Sequence, residues 1–224
     1  MNPAGDPPRE IVILGLAGGV ASGKSTVARR FQELGAVLIE ADRLAHEALE
    51  DETVKPAIID RFGGDVLDES GHVSRPALAR AAFDDESVKR FLESLIHPVV
   101  RARIEERIGE VEDEIRRGAR QAKALIVLDV PLLFETPWAE RCDHIVFIEA
   151  GEAQRAKRAS EERGWSETEV ARREKFQKPV NEKRERSDYR IDNTQTLDRT
   201  YLQVDALFRE LTGSTSTGSL PPGR

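Results

Sequence analysis

Short apolar segments recur along the chain, separated by longer stretches in which apolar residues follow a helical spacing. Aliphatic and β-branched runs of this length predict strands that are buried on both faces. They occupy residues 11–16, 37–39, 124–128 and 145–148 and, more weakly, residues 189–192. Strands that alternate with helices indicate an α/β fold with a mostly parallel sheet and helices on its faces.

The stretch from residue 54 to about residue 120 has a different character, because it predicts several amphipathic helices and no clear strand. One apolar helical face carries Val88, Leu92, Leu95 and Ile96, and a second carries Ile104, Ile108, Val111 and Ile115. No Pro-, Gly- or Ser-rich linker marks the edges of this stretch. We therefore interpret it as a helical insertion, about 54–120, into a single domain that spans residues 10–212.

Both ends of the chain predict flexible segments. Residues 1–9 are rich in Pro, and residues 213–224 are Gly, Ser, Thr and Pro with one Leu and a final Arg. Such segments bury too little apolar surface to offset the entropy of ordering them. The N-terminal segment lacks the apolar stretch of a signal peptide, and the longest apolar runs are too short to cross a membrane. We expect a cytoplasmic protein with no membrane partner.

Composition narrows the class of partner. The chain has 224 residues, with 34 basic and 41 acidic side chains and a net charge of −7. An acidic protein is a poor general binder of nucleic acid or anionic membranes, since both are polyanions. Cys142 is the only cysteine, which excludes an intrachain disulfide and fits a reducing compartment. We expect no zinc site, no nucleic-acid partner, and a monomer or weak homo-oligomer.

Residues 18–25 carry the strongest chemical signal, because they match G-x-x-x-x-G-K-[ST] between a predicted strand and a predicted helix over about 24–34. In such a phosphate-binding loop, or P-loop, backbone N–H groups surround the phosphate oxygens and the helix adds the positive end of its dipole. Lys24 would neutralise the β- and γ-phosphates of a nucleotide, and the Ser25 hydroxyl would bind Mg²⁺. The backbone groups expected to contact phosphate belong to Gly18, Gly19, Ala21, Ser22 and Gly23.

The kind of P-loop protein is narrowed by what the sequence lacks. No Asn-Lys-x-Asp motif for reading guanine is present, and the chain is short for a mechanoenzyme. A small kinase remains. Glu40 and Asp42 follow the second predicted strand, and both carboxylates would face one side if the backbone is still extended there. Asp42 would then orient and deprotonate an acceptor hydroxyl, or it simply begins a helix as its N-cap.

Taken together, these residues resemble the dephospho-CoA kinase family. The resemblance extends over residues 11–211 and depends on motifs that occur in the family's order. They are Gly-Gly-Val-Ala-Ser-Gly-Lys-Ser-Thr at 18–26, Glu-Ala-Asp-Arg at 40–43, Phe62-Gly63, Gly71 with Arg75, His97-Pro98, Pro-Leu-Leu-Phe-Glu at 131–135, Gln177, and Ile191-Asp192-Asn193.

The resemblance implies a P-loop kinase with a five-stranded parallel sheet, a helical acceptor-binding insertion and a helical lid. Its reaction transfers the γ-phosphoryl group of ATP to the ribose 3′-hydroxyl of dephospho-CoA, with Mg²⁺ as cofactor. The loop through Thr26 would bind ATP, and Asp42 would be the base or hydroxyl-orienting residue. The substrate would contact Glu40, Asp42, Arg75, His97 and Asp129, with Asp129 either supporting the metal through water or capping a turn.

Two positions depart from the family's usual pattern. Glu40 stands where the family usually has Asp, so its carboxylate reaches one methylene further. Ala17 stands where Thr is frequent, so a hydroxyl contact made there in relatives is absent.

A basic segment follows the fourth predicted strand. Residues 155–190 contain twelve basic and eight acidic side chains, a net charge of +4 in an acidic chain. The resemblance implies a lid over about 153–182 that covers the phosphates, and Arg158 and Arg163 are the predicted lid arginines. Asn193 falls where the family contacts adenine. Many of these charges also fit a solvated helix with i,i+4 ion pairs.

Two other functions stay open at this stage. One is a different small-molecule kinase of the nucleoside or nucleotide type. The other is an ATP-binding regulator that has lost its chemistry, although the presence of Asp42 and of lid arginines argues against it.

Overall fold

The apolar segments form strands in the computed structural model, which describes residues 11–82, 85–120, 123–175 and 177–213. Five strands are present in these ranges: β1 Ile11–Gly18, β2 Val37–Glu40, β3 Ala124–Asp129, β4 His144–Glu149 and β5 Tyr189–Asp192. They form one sheet in the order β2-β3-β1-β4-β5. Strand β1 is parallel to β3 and to β4, and β4 is parallel to β5. The predicted five-stranded parallel sheet is therefore confirmed.

Helices fill the remaining stretches of the described chain. They are α1 Lys24–Glu33, α2 Ala41–Ala48, α3 Val54–Phe62, α4 Arg75–Ala81, α5 Glu86–Arg116, α6 Trp138–Arg141, α7 Glu152–Arg163, α8 Glu167–Glu174, α9 Val180–Glu185 and α10 Leu197–Thr212. Ser166 is the N-cap of α8, and its Oγ accepts the Glu169 N–H at 3.3 Å. None of the described helices is both long and apolar enough to cross a membrane.

The chain divides into two compact units. The sheet unit consists of the described residues up to Ile39 and from Glu110 onward, and the helical unit is Glu40–Gly109. The insertion expected from sequence, about 54–120, begins and ends later than this helical unit. The predicted flexible N-terminus, 1–9, and the predicted tail beyond Gly213 lie outside the described residues.

The main core of the sheet unit lies on one face of the sheet, because it takes alternate residues from each strand. Strand β1 is almost wholly buried, as its run of aliphatic residues requires. The core joins residues of β1, β3, β4 and β5 to α1 and α10, among them Leu16, Phe31, Val127, Ile148 and Val204. Because β1 and α1 are both fixed by this core, the loop between them is held at both ends.

The helical unit has an apolar cluster of its own, which includes Val54, Ile58 and Leu78. Glu50 ties its segments together, because Oε1 accepts the Val73 N–H at 2.7 Å and Oε2 lies 2.7 Å from Lys55 Nζ. The hydrogen bond from Lys55, more than any other cause, lowers the pKa of Glu50.

Candidate active site

The loop between β1 and α1 has the backbone geometry that phosphate binding requires. Ala21 has a φ of 55°, which among the described residues makes it the one non-glycine with positive φ. Gly23 is the N-cap of α1 and has a φ of 93°. A Cβ at Gly23 would overlap Asn193 Nδ2, so both conformation and space require glycine there.

Lys24 and the first turn of α1 follow this loop directly. Lys24 Nζ donates to the Gly19 carbonyl oxygen at 3.2 Å, and the Ser22 N–H donates to the same oxygen at 3.3 Å. The Thr26 N–H donates to the Gly23 carbonyl oxygen at 3.1 Å, which begins the helix. Ser25 is exposed in this turn, where its hydroxyl is accessible to a bound ligand.

The oxygen atoms of Ser25 and Asp129, near the carboxyl ends of β1 and β3, are of the kind that binds Mg²⁺. Strand β3 ends at Asp129 at the same edge as the loop, because β1 and β3 are parallel neighbours. A hydroxyl such as that of Ser25 and a carboxylate are the hard oxygen ligands that Mg²⁺ prefers, and it usually adds substrate phosphates and water. No cluster of three or more His, Cys, Asp or Glu side chains is arranged to hold a metal within the described ranges.

The predicted lid arginine Arg158 contacts the P-loop. Its Nη1 donates to the Ser22 carbonyl oxygen at 3.2 Å and its Nη2 to the Asn193 carbonyl oxygen at 3.3 Å. With its amide turned so that both groups find partners, Gln154 accepts from Arg158 Nη2 at 2.9 Å. Arg163, the other predicted lid residue, is the last residue of α7, and its side chain lies outside the described part of the structure.

Arg155, one helical turn before Arg158, also reaches the loop. Its Nη1 donates to the Val20 carbonyl oxygen at 3.4 Å and pairs with Glu174 at the end of α8. Arg155 is one of the basic residues of the segment 155–190, and it was not among the predicted site residues. The i,i+3 spacing of Arg155 and Arg158 was the available signal, since it places both on one face of α7.

Asn193 is buried directly behind the loop. Its Nδ2 donates to the Ser22 carbonyl oxygen at 2.8 Å, and its Oδ1 accepts from the Thr200 hydroxyl at 3.0 Å. Its backbone N–H donates to the Glu149 carbonyl oxygen at 2.8 Å, which fixes the residue at the end of β5.

An open cavity of about 380 Å³ lies at the carboxyl ends of β4 and β5. In open α/β sheets, ligands bind at this end of the strands. Asp192, on its wall, accepts hydrogen bonds from the Thr194 hydroxyl and N–H, which lower the pKa of its carboxyl group. The cavity is lined by Glu149, Ala150, Gly151, Glu152, Arg155, Val180, Arg184, Asp192 and Thr194.

A buried lysine lies in one pocket with residues of the loop and was not predicted. Lys183 of α9 is 3% exposed, and its Nζ donates to Gln177 Oε1 at 2.7 Å and lies 3.7 Å from Glu135 Oε1. Burial lowers the pKa of Lys183. Lys183, Glu135 and Lys24 line one small pocket with Gly18. Glu135 and Gln177 belonged to the recognised motifs, but nothing in the sequence distinguished Lys183 from its exposed basic neighbours.

Glu40 and Asp42 lie at the start of the helical unit. Glu40 is the N-cap of α2, with extended φ and ψ of −102° and 107°, and Ala41 is already helical. The alternative in which Asp42 is the N-cap is therefore wrong, because the helix begins two residues earlier than that alternative requires. Asp42 lies in the first turn of α2, and its side chain is exposed.

The other predicted substrate residues of the helical unit are exposed. Arg75 begins α4 after the N-cap Ser74, and its Nη1 lies 3.4 Å from His46 Nδ1. His97 lies inside α5 immediately before Pro98. Neither side chain is buried, so both are accessible to a ligand.

The strand order, the loop between β1 and α1, and the arginines of α7 on that loop define a P-loop kinase. Over residues 12–199 the chain matches the family model described as dephospho-CoA kinase. A dephospho-CoA kinase of Symbiobacterium thermophilum is 39% identical over 204 residues, covering 90% of this chain and 82% of that protein. The dephospho-CoA kinase of Leifsonia xyli subsp. xyli is 39% identical over 202 residues, covering 90% of this chain and 99% of that protein.

Solved structures agree with this match. A crystal structure from Thermus thermophilus has a TM-score of 0.74 at 33% identity and covers 90% of this chain and 98% of that one. A Campylobacter jejuni dephospho-CoA kinase has the same fold, with a TM-score of 0.65 at 23% identity over 92% and 100% of the two chains. The chain belongs to the dephospho-CoA kinase family, whose enzymes carry out the ATP-dependent last step of coenzyme A synthesis.

Proposed function

We propose that this chain transfers the γ-phosphoryl group of ATP to the ribose 3′-hydroxyl of dephospho-CoA by in-line displacement, giving coenzyme A and ADP. Membership of the family supports this reaction, and the observation that carries it is the intact P-loop, with Lys24 at the start of α1. Phosphoryl transfer needs little covalent chemistry from the protein, so its residues act by positioning and by stabilising charge.

On the donor side, the loop N–H groups and Lys24 hold the phosphates. The cavity at the ends of β4 and β5 receives the adenosine part of ATP, since it adjoins the loop through Arg155. Arg158 and Arg163 provide positive charge from the lid segment as negative charge redistributes on the transferred group.

On the acceptor side, Asp42 orients the 3′-hydroxyl and accepts its proton. Its exposure at the start of α2 leaves the carboxylate accessible to substrate. Arg75 and His97 bind dephospho-CoA, and a cation such as Arg75 suits its phosphates. Glu40 keeps the negative charge of the family's Asp beside this hydroxyl.

Mg²⁺, when bound, neutralises charge on the β- and γ-phosphates, and the Ser25 hydroxyl and Asp129 are the residues that would hold it. The protein acts in the cytoplasm, where ATP is abundant and a lone thiol stays reduced. We further propose that it works as a monomer or weak homo-oligomer.

The decisive experiment measures ATP consumption against a panel of acceptors that includes dephospho-CoA, nucleosides, nucleotides and sugars. We expect turnover with dephospho-CoA alone, with the product phosphorylated at the 3′ position. Turnover with a different acceptor and none with dephospho-CoA would refute the acceptor assignment. ATP binding without turnover on any acceptor would indicate a regulator.

The same assay tests the two central residues. Asp42→Ala should lower kcat by about 10²- to 10⁴-fold, the usual contribution of a general base, while ATP affinity stays close to wild type. Lys24→Ala should lower kcat by roughly 10²- to 10³-fold because a charge that stabilises the transition state is removed, and it should weaken ATP binding as well. Asp60→Ala and Lys123→Ala, at exposed positions of the same residue types, are the matched controls. Near-normal turnover in Asp42→Ala would remove its assigned role.

A further inference from the structure

We infer that Asn193, oriented by Thr200, is a positioning residue that fixes the Ser22–Gly23 peptide group so that the Gly23 N–H faces the bound phosphates. The inference rests on the proposed binding of ATP at the P-loop. It gives the Asn193 side chain a role in shaping the loop, whereas the family resemblance associates this position with adenine.

The Ser22 carbonyl oxygen receives two side-chain donors from outside the loop. Asn193 Nδ2 donates to it at 2.8 Å and Arg158 Nη1 at 3.2 Å. Both donors are fixed in turn, because Asn193 is 4% exposed and Arg158 Nη2 also donates to the Asn193 carbonyl oxygen. The direction of the Ser22 carbonyl group is therefore set from behind the loop.

A fixed carbonyl group also fixes the amide of the next residue. Peptide bonds are planar, and no described peptide bond is cis, so the Ser22 C=O and the Gly23 N–H point in opposite directions. With the carbonyl turned toward Asn193 and Arg158, the Gly23 N–H points away from these two side chains within the same peptide plane. In a phosphate-binding loop this is the direction of the concave face, where successive N–H groups make an anion site.

Thr200 determines which end of the Asn193 amide faces the loop. Thr200 is fully buried on α10, and its hydroxyl donates to Asn193 Oδ1 at 3.0 Å. With Oδ1 engaged by this donor, the NH₂ group is the one directed at Ser22. An inverted amide would place its oxygen against the Ser22 carbonyl oxygen, and two acceptors would then face each other.

Gly23 makes this contact close. A Cβ on Gly23 would overlap Asn193 Nδ2, so the amide occupies the volume of the missing side chain. The contact therefore depends on glycine at the N-cap of α1, which explains this glycine by packing as well as by its positive φ.

The test compares four variants by titration calorimetry with ATP and, separately, with dephospho-CoA. Asn193→Asp keeps the shape and replaces the donor with an acceptor, and Thr200→Val removes the orienting hydroxyl at nearly constant volume. Thr200→Ser keeps that hydroxyl. Asn181→Asp makes the same chemical change at an exposed position of α9 and is the matched control.

We expect the Kd for ATP to rise about tenfold in Asn193→Asp, the effect of losing one buried hydrogen bond while Arg158 still holds the carbonyl. Thr200→Val should weaken ATP binding in the same direction and by less. Thr200→Ser and Asn181→Asp should match wild type, and the Kd for dephospho-CoA should stay within about twofold in all variants. If Asn193→Asp fails to fold, the test is the comparison of the Kd for ATP between Thr200→Val and Thr200→Ser, in which only Thr200→Val should bind ATP more weakly than wild type.

A double variant tests whether the two residues act together, because independent packing effects would add in the free energy of ATP binding. If Thr200 acts through Asn193, the Asn193→Asp/Thr200→Val protein should bind ATP about as weakly as Asn193→Asp alone. Additive losses would overturn the inference. Wild-type ATP affinity in Asn193→Asp would overturn it too, as would equal weakening of both substrates with a lower Tm. Failure of the wild-type protein to bind ATP at all would instead refute the proposed function, and the inference with it.

Discussion

Gly23 combines two constraints, of which Gly35 has only one. Its φ of 93° is one that L side chains rarely adopt, and a Cβ there would overlap Asn193. Gly35, which follows α1, has a φ of 104° and open space around the position of a Cβ. The pair therefore separates the cost of backbone conformation from the cost of lost space.

We predict that Gly35→Ala lowers the free energy of unfolding by about 1–2 kcal/mol, the cost of a left-handed conformation, and leaves ATP binding intact. Gly23→Ala should cost more than Gly35→Ala because Asn193 must move, and ATP binding should be lost. Urea unfolding and ATP calorimetry on both variants provide the measurement. Equal costs with retained ATP binding in both would contradict the steric argument.

Some features of the site could be predicted from the sequence, and others could not. The role of the P-loop follows from spacing, because the chemistry of phosphate binding fixes which residues must stand together. The position of the N-cap at Glu40 could not be predicted from the sequence, since the residue pattern does not show where the extended backbone ends. Lys183 could not be predicted either, because its burial depends on how α9 packs against Glu135 and Gln177.

Helices and strands could be predicted where the apolar pattern of the element itself determines which residues are buried. The five strands lie where the short apolar runs predicted them, and β1, β3 and β4 are buried along most of their length. The last helix, α10, carries leucines on more than one face, and of these Leu197 is 51% exposed while Leu207 is buried. The buried face of α10 is set by the helix α1 and the sheet against it, which periodicity alone cannot locate.

Helix α9 provides a test of this packing. Lys183→Met should lower the free energy of unfolding by roughly 3 kcal/mol, because it removes one partner of a buried pair and leaves Glu135 without that charge. Lys157→Met is the matched control in α7, where Lys157 is 71% exposed in its side chain and lies 3.9 Å from Glu161. An exposed i,i+4 pair contributes only about 0.5 kcal/mol.

Urea unfolding monitored by tryptophan fluorescence measures both proteins. Similar losses in the two variants would contradict the buried pair as a source of stability. A loss confined to Lys183→Met would assign to Lys183 a structural part in holding α9, beside its place in the pocket with Lys24.

The charge of the whole molecule is arranged unevenly, and much of the basic segment is paired with acids. The net charge of −7 contains a segment of +4 at residues 155–190. Within it, Arg155 pairs with Glu174, Arg173 with Glu169 and Lys178 with Glu182. These pairs neutralise part of the segment's positive charge, and the absence of a nucleic-acid partner stays a prediction.

The division into two units has a consequence for unfolding. The sheet unit and the helical unit each have their own apolar cluster, and the cluster of the helical unit is the smaller. Small units bury a lower fraction of their surface and are less stable. All Trp, Tyr and Cys residues of the chain belong to the sheet unit, so their signals are selective for it.

We therefore predict that urea unfolds the helical unit first. Far-UV circular dichroism should lose signal in two steps, and labelling of Cys142 should follow the second.

Burial raises the pKa of Cys142 to about 12, from an ordinary value of 9.0, so the folded thiol is not a thiolate at neutral pH. Above pH 9.0 the unfolded thiol loses its proton first, and stability should fall with rising pH until about 12. ATP should shift only the labelling step, because a ligand stabilises the state that binds it. One transition shared by ellipticity and labelling, with or without ATP, would contradict separate unfolding.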